Sequence, residues 1–208
     1  MISGRRSDSL YLAGSGSFAV EVAEWARDAG WTVAGVIELL DPSRVGGVVA
    51  DMPVIAPEQA PAGALAAVAA GGSRAEHWLR VEVHGWRPAT IVHPAAHVSP
   101  TAKLGGGCIV APGAVIGAET AIGSHTLVSR GALLGHHAHV GDFVSLMPGV
   151  NIGGHTEIGD RTTVGMGAVI VNTTTVGADA IVAAGALVLG DIRRGTRVQG
   201  LPAREYAL

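Results

Sequence analysis

The chain has 208 residues, 48 % of them apolar but only 4 % aromatic, so it has material for one or two domains whose core is built from small aliphatic side chains. A net charge of −3, with no block of like charge, excludes the electrostatic footprint of a nucleic-acid or acidic-membrane binder. A single cysteine, Cys108, excludes an internal disulfide, fits a reducing compartment and reads as a small buried hydrophobe.

No apolar run approaches the roughly 18 residues of a membrane span. Arg5-Arg6 ahead of an apolar stretch has the charge order of an export signal. Gly14-Ser15-Gly16-Ser17, and then Glu21 and Glu24, cut that stretch short. A cytoplasmic protein without a membrane span is the expectation.

In chain order, residues 10–37 read as strand, glycine loop, helix, strand. Leu10-Tyr11-Leu12-Ala13 is a short apolar strand and Gly14-Ser15-Gly16-Ser17 its turn. Phe18, Val22, Trp25 and Ala26 mark one face of a helix from Phe18 to Ala29, which Gly30 can stop. Trp31 to Ile37 is the next strand, ending at Glu38. This is the βαβ opening of a Rossmann-like unit. Gly14-x-Gly16 supplies two glycines of a dinucleotide fingerprint, and Ala19 stands at the third. Two readings stay open: a nucleotide cradle or an ordinary tight βα turn. The first makes Gly14, Ser15, Gly16 and Glu38 candidate substrate-binding residues, with Glu38 accepting hydrogen bonds from a base or ribose. Pro53-Val54-Ile55 and the Ala-rich stretch Ala62 to Ala70 suggest a further strand and helix pair. Residues 1–90 are expected to form a half-size, mononucleotide-like α/β unit.

From Val92 to Val188 every sixth residue is aliphatic, seventeen in succession. The residue four places after each is small or β-branched, Cys108 among them, and Gly often follows the aliphatic one, as in Ile116-Gly117 and Ile158-Gly159. Neither the helix period nor strand alternation gives six; a fixed hexapeptide repeat marks a parallel β-helix. Three hexapeptides close one triangular coil, so residues 18 apart stack at about 4.8 Å. Residues 91–208 are expected to form this domain. The pattern ends at Val188, with a loop at Asp191 to Gly195 and a closing turn at Val198 to Pro202.

The beat with its Ile-Gly and Val-Gly pairs resembles the left-handed parallel β-helix of hexapeptide-repeat acyltransferases. Three stretches narrow the match: GSGSFAVEV (Gly14 to Val22), IVHPAAHVSPTA (Ile91 to Ala102) and GLPAR (Gly200 to Arg204). They resemble the glycine loop, the lead into the β-helix and the C-terminal signature of the sialic acid O-acetyltransferase (NeuD) family. That family includes bacterial N-acetyltransferases acting on nucleotide-linked 4-amino sugars. The resemblance implies an α/β Rossmann-like acceptor-binding subdomain over 1–90 and a left-handed β-helix acetyltransferase domain over 91–208. It also implies acetyl-CoA as co-substrate without a metal, a small-molecule sugar acceptor, and a homotrimer with active sites at subunit interfaces.

The same resemblance assigns residues. His136 takes the place of the catalytic general base. An acidic residue often follows that histidine, and here His137 does, which opens the question of what orients His136. Gly154 matches a position near the acetyl group, and Met166 and Ala184 match positions along the pantetheine and adenine path. For Arg204, with Arg193, Arg194 and Arg197, the residues themselves leave two readings open: contact with the CoA phosphates or solvated surface charge. The match departs in the first domain: Phe18 stands where the family often has histidine, Glu38 and Leu39 where it has two aspartates, and Gly71-Gly72-Ser73 where it has Gly-Asp-Asn. These departures leave the nucleotide carrier open.

Three of the nine histidines crowd into His136, His137 and His139, and His155 lies one coil beyond His137, on the same edge. Clustered imidazoles suit a general base, because imidazole titrates near neutral pH, or a metal site. Left-handed β-helix carbonic anhydrases combine a lone histidine with a distant pair five apart, and no two histidines of the 136–155 cluster have that spacing. The expected activity is N-acetylation of an amino sugar by direct transfer, with His136, aided by His137, as the catalytic machinery. Sugar O-acetylation is the near alternative. A metal-dependent lyase or hydratase, or a non-catalytic ligand-binding trimer, is the alternative of another class.

Overall fold

In the computed structural model, which describes residues 9–71 and 74–206, the chain divides into two units, Met1–Pro94 and Ala95–Leu208. The Arg5-Arg6 pair, and Gly72 and Ser73, lie outside the described residues.

The first unit is built on strands β1 (Ser9–Ala13), β2 (Thr32–Ile37), β3 (Val48–Val49), β4 (Met52–Ile55), β5 (Leu65–Val68) and β6 (Arg87–Pro88), in the sheet order β3-β4-β2-β1-β5-β6. All neighbours are parallel except the β3-β4 edge hairpin. Helix α1 (Phe18–Asp28) buries Ala19, Val22, Ala23, Trp25 and Ala26, the face expected from the apolar spacing. It stops at Gly30, whose φ of +83° suits glycine, while the Trp31 N–H returns to the carbonyl of Ala26 at 3.0 Å.

One expectation is corrected. The Ala-rich stretch holds a strand, β5, and the helix, α2, comes later at Arg74–Glu82. Strand β5 lies between β1 and β6, and Ala66, Ala67 and Val68 are buried. A strand covered on both faces needs a continuous run of small apolar residues, and this burial outweighs alanine's helix preference. Strand β1 has β2 on one side and β5 on the other, so the chain reverses direction across the sheet at the carboxyl end of β1. Ligands bind α/β sheets at such a switch point, and Gly14-Ser15-Gly16 lies there.

The second unit is a left-handed parallel β-helix of two-residue strands on three faces. The first face stacks Ile109, Leu127, Ser145, Thr163 and Ile181. The second stacks His97, Val115, Leu133, Asn151, Val169 and Leu187. The third stacks Lys103, Ala121, His139, Glu157 and Thr175. Every step within a face is 18 residues. The aliphatic residues of the repeat point inward with the small residues four places on, Cys108 included, and Val110 to Val188 are buried. Interior threonines keep their hydroxyls satisfied: Thr120, Thr126 and Thr162 donate to carbonyls 15 residues ahead, at 2.9, 2.8 and 3.0 Å.

Glycine follows the aliphatic residue for a steric reason. A Cβ on Gly165 would lie 2.5 Å from the backbone nitrogen of Ala184, and one on Gly135 would lie 2.5 Å from that of Gly154. At these points the coils touch backbone to backbone. The helix also runs past Val188, which corrects the expected end. Ile192 bridges to Val176, and Arg197–Gln199 pairs with Ile181–Val182 after a step of 16 residues instead of 18. The turn is shortened, so the hexapeptide beat slips although the coil continues. Arg204–Glu205 then folds back antiparallel on Arg197–Gln199.

Substituting Gly165→Ala should prise adjacent coils apart and destabilise the protein by about 1–3 kcal/mol. Gly190→Ala, where an added Cβ meets nothing within 4 Å, should be close to neutral. Urea midpoints of the two variants test the contrast; equal midpoints would refute the close-approach argument.

Candidate active site

His136, His137, Gly154 and His155 share the corner between the second and third faces. The turn there carries one residue per coil through left-handed backbone space, with φ of +58° at His137 and +56° at His155. Backbone bonds stitch the corner from coil to coil: His137 N–H to Ala118 carbonyl at 2.8 Å, and His155 N–H to His136 carbonyl at 3.0 Å. The 18-residue step lays the His137 and His155 rings parallel, 4.8 Å apart and 18° from coplanar. His136 stands nearly perpendicular to both, with centroids 5.2 and 5.1 Å away.

The Nδ1 atoms of His136 and His137 lie 3.0 Å apart. Between two neutral imidazoles one nitrogen must donate and the other accept. When His136 donates, its Nε2 carries the free lone pair, and that nitrogen has no hydrogen-bond partner among the described residues. A Cβ on Gly154 would lie 3.1 Å from this Nε2 and 3.2 Å from Cε1, so glycine leaves the ring its seat. The Gly154 N–H also makes no hydrogen bond among the described residues. All three imidazoles are exposed, and each offers a nitrogen within 4.8 Å of the others, so the set can hold a metal ion. The coil step brings His155 beside His137, as the repeat predicts, whereas the His136–His137 contact that completes the group depends on side-chain direction.

Of the remaining expected residues, Met166 is 57 % exposed, and Ala184 lies one coil on. They occupy the corner between the first and second faces, so one chain does not gather them with His136. Arg204 donates to its neighbour Ala203's carbonyl at 2.9 Å and makes no ion pair among the described residues. Arg193 and Arg194 are held instead by Glu205 at 2.8 Å and Asp179 at 2.9 Å. His139 projects from the third face, exposed.

In the first unit, Gly14 adopts a φ of +109°, and its N–H bonds to the Ile37 carbonyl at 2.9 Å. Gly16 has open space where a side chain would be. The Ser15 hydroxyl donates to Glu38, whose other oxygen accepts from the N–H groups of Leu40 at 2.8 Å and Asp41 at 2.9 Å. Glu38 is buried at 7 % exposure. Burial pushes its carboxyl up, but the Ser15 hydroxyl, the two backbone N–H groups and the Arg44 charge together hold it below the usual carboxylate range. Glu38 therefore braces the glycine loop, with fewer lone pairs left for a ligand than expected from sequence. Arg44, 3.4 Å from the Ser15 carbonyl and hydroxyl, and His77, packed on Gly14, join this loop. No spacing in the sequence marks either one.

A family model described as bacterial transferase hexapeptide (six repeats) matches residues 137–172. No curated protein matches the sequence. Among solved structures, perosamine N-acetyltransferase from Caulobacter crescentus, a histidine-to-asparagine mutant in complex with CoA and GDP-perosamine, is 29 % identical over 97 % of both chains, with a TM-score of 0.87. The acetyltransferase domain of PglB from Neisseria gonorrhoeae, solved also with acetyl coenzyme A, is 31 % identical over 98 % of this chain and 100 % of its own, with a TM-score of 0.86. WeeI from Acinetobacter baumannii, 22 % identical over 96 % and 99 %, shares the fold at a TM-score of 0.84.

Glu38→Gln should cost about 1–3 kcal/mol of stability at neutral pH, the loss of a buried carboxylate's hydrogen bonds. A carboxyl with a depressed folded pKa stabilises above its unfolded value near 4.5, and this contribution is lost as pH falls through the folded value. The gap between wild type and variant should therefore close on acidification. A gap independent of pH in denaturation curves would refute the charge argument.

Proposed function

Because the chain belongs to the sialic acid O-acetyltransferase (NeuD) family of hexapeptide-repeat acyltransferases, we propose that it transfers acetyl directly from acetyl-CoA to the amino group of a nucleotide-linked amino sugar, with His136 as general base. It is an acyltransferase, and acetyl-CoA is its co-substrate. The observation that carries the catalytic reading is the seating of His136: Nδ1 held by His137, Nε2 unpartnered, and Gly154 leaving it room.

The acceptor amine attacks the thioester carbonyl and a C–N bond forms. Its surplus proton passes to His136 Nε2. The Gly154 N–H is available to hold the oxyanion. The C–S bond then breaks, and the proton passes from His136 to the departing CoA sulfur. His137 replaces an acid here, so it orients His136 without placing a negative charge beside the forming imidazolium.

The first unit holds the acceptor at the Gly14–Gly16 loop, where Arg44 brings positive charge to a nucleotide phosphate; Glu38 steadies the loop. Domains 1–90 and 91–208 divide the work accordingly. The CoA path runs past Met166 and Ala184 to Arg204. Those residues and His136 lie on different corners, so a neighbouring copy is needed to complete a site, and a homotrimer supplies one. The second face supports this with outward-facing Val115, Leu133 and Val169, each 38–43 % exposed, in a column that Asn151 interrupts. Among the described residues no helix is long and apolar enough to cross a membrane. We place the enzyme in the cytoplasm, where acetyl-CoA is made and the buried free Cys108 is unremarkable.

Offered UDP-, GDP- and dTDP-linked 4-amino sugars, the protein should release CoA with one carrier. His136→Ala should lower that rate about 10²–10⁴-fold while acetyl-CoA still binds. Gly154→Ala should displace the His136 ring and lower the rate by up to about 10²-fold. Acceptor-dependent release undiminished in His136→Ala would refute the base assignment, and an alkali-labile acetyl ester as product would shift the chemistry to O-acetylation.

A further inference from the structure

We infer that His136, His137 and His155 form a binding site for one divalent transition-metal ion of the zinc class, and that occupation of this site stops acetyl transfer. The site claim stands on the geometry of the corner. The inhibition rests on His136 acting as the base.

Three neutral imidazoles are a donor set suited to zinc, copper or nickel and unsuited to magnesium or calcium, which demand oxygen. Tetrahedral zinc with nitrogen at 2.0–2.1 Å requires donor nitrogens about 3.4 Å apart. One pair already stands at 3.0 Å, and the whole set lies within 4.8 Å. The rings are exposed, and His136 has the Gly154 clearance on one side, so small side-chain rotations bring the nitrogens to a common centre. Three protein ligands leave a fourth position for water or a substrate atom. The backbone at this corner is held by coil-to-coil hydrogen bonds, so the donors converge without a loop having to order.

The departure from the family pattern is what creates the set. With an acid after His136, the corner would offer two imidazoles; with His137, the third ligand faces His155 across the coil step. A neutral imidazole has one free ring lone pair: an ion on His136 Nδ1 puts the ring proton on Nε2, so the nitrogen that would take the acceptor's proton is no longer free. A chain that uses His136 as base is silenced when the ion binds and restored when it is removed.

The test uses the full chain freed of metal with a chelator. Zinc chloride is titrated against a chromogenic zinc indicator for wild type, His155→Asn and, as a control outside the cluster, His139→Asn. Asparagine tolerates the left-handed backbone at 155, so the variant keeps the corner. The expected result is one zinc per chain in wild type and His139→Asn, and affinity weakened in His155→Asn by at least about 10–100-fold, the loss that removal of a mere outer-shell partner already brings. Acetylated product, measured by chromatography to avoid thiol chelation, should fall as zinc is added, and the midpoint should move by the same factor in His155→Asn. Equal zinc affinity in all three proteins would overturn the site. Transfer abolished by the chelator, or transfer unaffected by zinc bound at the histidines, would overturn the inhibition. If no acceptor supports transfer in the metal-free protein, the functional reading fails, while the zinc titration still decides the metal site.

Discussion

The close stacking of one coil's backbone on the next is the constraint on which the second unit depends. Each two-residue strand bonds to the strand 18 residues away, and at glycines such as Gly135, Gly159 and Gly165 the backbones approach so closely that a Cβ would fall within 2.5 Å of the next coil. The strand pairing, in register on all three faces, holds the coil step constant. The constant step keeps the aliphatic residues in register inside and makes each corner a column of residues 18 apart. Where the step shortens to 16, beyond Val188, the helix continues because the strand pairing is kept even though the sequence beat is not.

The candidate active site is a consequence of that column. The corner turn requires one residue per coil in left-handed space, and two of those residues are histidines. Stacking turns a sequence separation of 18 into a ring separation of 4.8 Å. His136, one residue earlier, is thereby wedged against both rings, over a glycine that leaves room for it. General base and metal ligand are both consistent with imidazole chemistry. What separates them here is which partner claims the single free lone pair of the His136 ring first, an acceptor amine or an ion.

The first unit works by a different principle. Its glycine loop is held by a buried carboxylate whose charge is stabilised by a hydroxyl, two backbone N–H groups and an arginine. The residue expected to read the ligand thus acts chiefly on the loop, and Arg44 and His77 come to the loop from elsewhere in the unit. Burial also overrode composition at Leu65–Val68, where alanines form a strand because both sides are covered.

Periodicity alone determined the β-helix, its coil length, its inward residues and the edge shared by His137 and His155, because a solenoid's contacts repeat at a fixed sequence separation. The βαβ opening was legible for a similar reason: helix and strand periods are local. The family motifs added the likeness to acetyltransferases and the choice of His136. Only the tertiary structure decided what joins residues with no regular separation. It set the Nδ1 contact between His136 and His137, the clearance at Gly154, the Ser15–Glu38–Arg44 brace and the separate corners of His136 and Met166. Those relations depend on side-chain direction and on which faces meet, and neither is encoded in spacing along the chain.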